Sequence, residues 1–94
     1  MSTRPHVVFY TKPGCHLCEE AKREIRDSCC AGRFTYEEID ILSDHELERR
    51  YGLDIPVILI EDKHAFRHRL TAREFRNAIE LASRNQKPDR EGGR

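Results

Sequence analysis

The stretch VVFYTKPGCHLCEEAKREI, residues 7–25, decides the fold because three local patterns meet in it. An apolar, β-branched and aromatic run ends at Tyr10, a Pro–Gly turn follows, and helical periodicity begins at Cys15. His6–Tyr10 therefore predicts a strand and Thr11–Gly14 a turn. Beyond it, Leu17, Cys18, Ala21, Ile25 and Cys29 recur at three- and four-residue spacing, which predicts a helix that buries this face. Glu19, Glu20, Lys22, Arg23 and Glu24 fall on the opposite face. Gly32, after Ala31, is placed to end the helix, since glycine suits a left-handed cap.

Outward from this stretch the signals continue. Phe34–Ile41 (FTYEEIDI) reads as a second strand. Ser43, with Glu46 three residues on, forms the pattern of a capping box and opens a short helix. Leu47 and Tyr51 point that helix inward, and Gly52 ends it. Val57–Ile60, directly after Ile55–Pro56, is a continuous apolar run expected of a central strand buried on both faces. Glu61–Lys63 is a turn into a more polar edge strand near His64–His68. Thr71 and Glu74 repeat the capping-box pattern before a last helix with Ala72, Phe75, Ala78, Ile79 and Ala82 inward. The order β-α-β-α-β-β-α makes an α/β chain with one domain over residues 1–85. Residues 86–94 (QKPDREGGR from Gln86) lack any aliphatic or aromatic side chain and are expected to be a disordered tail.

Composition narrows the function classes. The 94 residues suit one small domain, and 17 basic against 17 acidic residues exert no overall pull toward nucleic acid or membrane. Charged residues make up 36% and apolar ones 37%, so a small core edged by long charged side chains is expected. No run approaches the ~18 apolar residues of a membrane span, and the apolar part of the N-terminus is too short for a secretory signal. The expected location is cytoplasmic, where thiols are kept for reactivity, for metal or as small buried residues.

Position gives the cysteine pair its meaning. Cys15 falls at the turn-to-helix junction, where unpaired N–H groups and the helix dipole favour negative charge. A thiolate there is stabilised relative to a free thiol, which ionises near ~8.5. Cys15 is thus the candidate nucleophile, and Cys18, one turn inward, can displace the product from it. His16 is either a charge that favours the thiolate or a solvent-facing spacer. A zinc site would need two further spaced ligands, but the other pair is the vicinal Cys29–Cys30, a helix away. A static staple conflicts with the compartment. Cys29 continues the buried stripe; Cys30 is either a regulatory thiol or an ordinary helix-end residue.

With YTKPGCHLC, this element order and DIP before VILI, residues 6–84 resemble the glutaredoxin branch of the thioredoxin-like proteins, and look closest to the short bacterial glutaredoxin-like type. The resemblance implies a thioredoxin-like fold with a four-stranded mixed sheet in the order β2-β1-β3-β4. Its first and third helices would cover one face and its second helix the other. It also implies thiol–disulfide exchange through catalytic Cys15 and Cys18, with Pro56 cis beside them. Tyr10, Lys12, Ile55 and Pro56 would shape the substrate groove, with the Ile55 backbone left to pair an extended substrate. Lys12 matches a lysine that holds one glutathione carboxylate, and the helix start at Thr71 offers a place for the other. Glutathione-using members carry a Gly-Gly turn before the last helix, whereas this chain reads HAFRHRLTAREF there. Thioredoxins place a buried aspartate on the strand leading to the motif and a tryptophan before the first cysteine. Here no acidic residue precedes Cys18 and tryptophan is absent.

No tightly bound cofactor is expected, and glutathione is a candidate co-substrate. Expected partners are a protein or small-molecule disulfide, with no nucleic acid or membrane, and the chain is expected to be a monomer. Residues 63–76 carry Lys63, Arg67, Arg69, Arg73, Arg76, His64 and His68 against Glu74 alone, either a basic rim for an acidic partner or a solvated edge. The competing function is a binding module that uses the same cleft to dock a partner or an iron–sulfur cluster with little turnover.

Overall fold

A computed structural model describes residues 4–28 and 32–85. Its elements follow the expected order: β1 His6–Thr11, α1 His16–Asp27, β2 Thr35–Asp40, a single 3-10 turn at Ile41–Ser43, α2 His45–Tyr51, β3 Val57–Ile60, β4 Lys63–Arg67 and α3 Ala72–Asn85. The four strands form one mixed sheet in the order β2-β1-β3-β4. β1 runs parallel to β2 and antiparallel to β3, and β4 returns antiparallel to β3. The Cys29–Cys30 pair and the expected tail lie outside the described residues.

Alternation along the strands sorts the side chains onto two faces. Val7, Phe9, Ile58 and Ile60 share the face that carries α1 and α3, and all are buried. Cys18, Ala21 and Ile25 of α1, with Phe75 and Ile79 of α3, complete that core. Phe34 seals it, edge-on to Phe75 with ring centroids 5.1 Å apart. The opposite face carries Val8, Tyr10 and Val57, and α2 covers one end of it by stacking Tyr51 on Tyr10 at 4.7 Å.

Several boundaries differ from the local sequence signals: β1 takes in Thr11, and β2 spans Thr35–Asp40, with Ile41 passing into the 3-10 turn. Helix α1 ends at Asp27 rather than near Ala31, because Ser28 is buried and its hydroxyl donates back to the Ile25 carbonyl at 2.6 Å. Asp44, not Ser43, caps α2: its carboxylate accepts the Glu46 N–H at 2.8 Å, while the Ser43 hydroxyl turns back to the Asp40 carbonyl. The hairpin between β3 and β4 turns on two residues, Glu61 and Asp62, both with positive φ, so Lys63 already belongs to β4.

Three groups on the β1–β2 side hold their protons more tightly in the fold than in a free chain. Burial, then the Glu38 charge, raises the Tyr36 phenol; burial, then Tyr51, raises Tyr10. A hydrogen bond to Glu38 at 3.0 Å raises the Lys22 ammonium. Their unperturbed values are 10.0 for tyrosine and 10.5 for lysine. Above those values the unfolded chain loses protons that the native state keeps, so stability falls as pH rises toward the folded values. Melting temperature is therefore expected to show no contribution from these groups below about pH 9 and a decline above about pH 10. Tyr36→Phe should shallow the decline; an unchanged slope in that variant would remove Tyr36 from the explanation.

Candidate active site

The site is built where β1 ends and β3 begins. Tyr10 pairs with Val57, so the turn after β1 and the segment before β3 emerge at the same end of the sheet. Gly14 makes the turn with φ +80, a conformation that side-chain-bearing residues rarely adopt. An added Cβ there would meet nothing within 4 Å, so the demand is for backbone freedom rather than space.

Cys15 is the N-cap of α1, and its Sγ accepts the Cys18 N–H at 3.1 Å. The two cysteines are disulfide-bonded, with Cα atoms 5.2 Å apart. Cys15 is part-buried at the surface of the core, whereas Cys18 is fully buried within it. His16 extends into solvent, 84% exposed, with Nε2 3.0 Å from the Glu20 carboxylate one turn on. Glu20 thus offsets any positive charge His16 acquires beside Cys15.

The Ile55–Pro56 peptide bond is cis, Pro56 is fully buried and Ile55 nearly so. Pro56 is held from behind: its carbonyl accepts the His68 N–H at 2.8 Å. His68 sits at φ +67 in a tight turn closed by Arg69 N–H donating to the Arg67 carbonyl at 2.7 Å. The His68 ring reaches the Leu53 carbonyl at 3.3 Å, and Arg67 pairs with Asp54 at 3.3 Å. The end of β4 therefore clasps residues 53–56, and part of the basic 63–76 run is spent internally. Leu53, whose carbonyl this clasp holds, is itself 96% exposed.

The remaining candidates divide. Lys12 stands exposed on the turn, with no ion pair among the described residues, beside a groove of about 330 Å³ that also includes Lys22, Glu38 and Asp40. Tyr10 packs on Tyr51 beneath α2, on the other sheet face from Phe9, so its ring serves the core of that face. Thr71 completes its capping box in both directions: its hydroxyl accepts the Glu74 N–H at 3.1 Å, and Glu74 accepts the Thr71 N–H at 3.0 Å. One participant was invisible to local pattern. Glu24 of α1 accepts the Ala72 N–H at 2.8 Å across 48 residues of sequence. Among the described residues no group of three or more His, Cys, Asp or Glu is placed to hold a metal. No helix among them is long and apolar enough to cross a membrane.

Residues 6–80 match the family model described as Glutaredoxin-like domain (DUF836). The chain belongs to this glutaredoxin-like family. A Glutaredoxin-like protein YDR286C homolog from Dictyostelium discoideum is 35% identical over 89 residues, covering 86% of this chain and 81% of that protein. The solution structure of protein Ne2328 from Nitrosomonas europaea superposes with a TM-score of 0.69 at 28% identity, over 84% of this chain and 95% of that one. Chloroplastic thioredoxin z, at 20% identity and a TM-score of 0.65 over 84% of this chain and 78% of its own, shares the fold. The glutaredoxin-like, thioredoxin-type architecture and the adjacent Cys15 and Cys18 support a redox or binding role for this end of the sheet.

Proposed function

We propose that this glutaredoxin-like chain is a thiol–disulfide oxidoreductase. The observation that carries the reading is the asymmetry of the pair, with Cys15 at a helix N-cap and partly accessible and Cys18 sealed beneath it. An accessible sulfur facing backbone N–H groups suits attack as a thiolate, and a sealed neighbour suits resolution. In the reducing direction the Cys15 thiolate attacks one sulfur of a substrate disulfide. An S–S bond forms to Cys15, and the other substrate sulfur leaves as a thiolate. The Cys18 thiolate then attacks Cys15 Sγ, forming the Cys15–Cys18 disulfide and releasing the second substrate thiol. Two electrons have passed to the substrate, and an external thiol or dithiol reductant restores the pair. Ile55 supports substrate placement: its N–H and C=O bond to no described residue, which leaves them for an extended chain at the cleft.

The test offers the disulfide form two reducing systems, glutathione with its reductase and thioredoxin reductase, and follows NADPH consumption. Turnover that requires Cys15 with either system is the expected result, and the system that works names the reductant. Absence of Cys15-dependent turnover with both would overturn the enzyme reading. The exposed Leu53, three residues before Pro56, would then favour a docking module, and visible absorbance of freshly purified protein would mark a bound cluster.

A further inference from the structure

The start of α3 is a place where an anion belongs, because its first N–H groups lack partners within the helix and carry the positive end of the dipole. In this chain that place is taken from within. The Glu24 carboxylate is seated on the Ala72 N–H and the Glu74 carboxylate on the Thr71 N–H. Glu74 is the ordinary reciprocal partner in a capping box. Glu24 is not: it reaches over from a different helix, and no local rule requires it there.

Glu24 lies six residues beyond Cys18 on α1, about 9 Å along the axis at ~1.5 Å per residue. It borders an open groove of about 400 Å³ that Leu17, Glu20, Arg69, Leu70 and Thr71 also line. Three carboxylates, Glu20, Glu24 and Glu74, face this groove against Arg69 and His68. A small acidic thiol such as glutathione has two carboxylates to place around its sulfur. Lys12, exposed on the turn, could meet one, but at the start of α3 the Ala72 N–H already holds Glu24 and the Thr71 N–H holds Glu74. A polypeptide needs no such anchor, and exposed Leu53 with the Ile55 backbone, which bonds to no described residue, offers it apolar and main-chain contacts instead.

We propose that Glu24 is a specificity-determining residue, an internal carboxylate that fills the anion position at the start of α3. It excludes acidic small-molecule thiols and leaves disulfides carried in a polypeptide chain as the substrate class. The substrate class rests on the oxidoreductase reading; the occupied anion position does not.

The experiment separates the two. S-methylglutathione is titrated into full-length protein carrying Cys15→Ser and Cys18→Ser, while the Thr71 and Ala72 amides are followed by nuclear magnetic resonance. With Glu24 present those amides are expected to stay unmoved at millimolar ligand. Adding Glu24→Ala should produce saturable shifts at the Ala72 amide, with affinity raised at least tenfold, while the Thr71 N–H stays bonded to Glu74. Glu24→Gln, which keeps an acceptor and loses the charge, should raise it at least threefold, and it carries the test if the alanine variant does not fold. Binding at these amides with Glu24 in place, or no tightening in either variant, overturns the proposal. In the catalytically intact chain, Glu24→Ala should raise the ratio of kcat/KM for a glutathione mixed disulfide over that for a peptide disulfide at least tenfold. An unchanged ratio overturns the substrate class. Absence of turnover with every substrate would overturn the oxidoreductase reading and this substrate class, and the amide shifts would still decide whether Glu24 holds the anion position.

Discussion

Cys15→Ser is expected to abolish turnover, by at least about 10³-fold, whereas Cys18→Ser is expected to stop the reaction one step later. A loss of that size exceeds about 4 kcal/mol of transition-state stabilisation, at ~1.4 kcal/mol per tenfold, and only removal of the attacking atom accounts for it. Serine leaves the N-cap geometry in place, since its oxygen can accept the Cys18 N–H as the sulfur does, so helix α1 should persist. Removing Cys18 leaves the attacker intact but takes away the group that displaces it from the mixed disulfide. The expected product is a stable adduct between Cys15 and half of the substrate, read as a mass increase that dithiothreitol reverses. The single-cysteine variants should also differ in alkylation, fast at the part-exposed Cys15 and slow at the fully buried Cys18. Equal alkylation rates, or an adduct on Cys18 in the Cys15→Ser variant, would reverse the assignment of roles.

Phe75→Ala is expected to cost about 3–5 kcal/mol of stability, as truncation of a fully buried aromatic ring generally does. Phe75 joins two parts of the core. Its ring meets Phe34, at the entry to β2, and it stands one turn into α3 behind the Thr71 cap. Small domains hold roughly 5–15 kcal/mol in total, so a loss of this size leaves little reserve. Urea unfolding should show a midpoint lowered by roughly 2 M, given a slope of ~1–3 kcal/mol per M. Leu53→Ala is the matched control: it removes a 96% exposed side chain and should move stability by less than about 0.5 kcal/mol. A Phe75→Ala midpoint within the range of the Leu53→Ala variant would mean the core is not organised around α3.

Much of this molecule was legible because its decisive signals are short-range. The alternation from His6, the Pro–Gly turn and the periodicity from Cys15 each span a few residues, and together they fix β1, the nucleophile's junction and the face α1 buries. Val57–Ile60 announced a central strand by being apolar throughout, and Thr71 with Glu74 announced the start of α3. The misreadings arose where two local options compete. Ser43 and Asp44 can both cap a helix, and the choice went to Asp44 once Ser43 was drawn into the turn after β2. The apolar stripe ran through Cys29, yet α1 stopped at Asp27 because buried Ser28 satisfied its own helix end. Within the site, Cys15, Cys18 and Pro56 could be placed by spacing and resemblance. Glu24 could not, because nothing near residue 24 points to Ala72, and only packing of α1 against α3 brings them together. Tyr10 misled for the converse reason: its place beside the motif suggested the cleft, but strand alternation sends its ring to the far face.

Strand order also decides which parts of the domain open first. Among the described residues β2 and β4 are the edge strands, while β1 and β3 are paired on both sides, and the turn to Cys15 and the segment to Pro56 grow from these two inner strands. Partial unfolding proceeds from the elements with the fewest buried contacts, so the mostly exposed outer strands are expected to open before the inner pair. The junction that carries Cys15 is therefore expected to open with the inner strands rather than with the edges. A molecule frayed at β2 would keep Cys15 and Pro56 in place, whereas fraying at β4 would also release the clasp on residues 53–56.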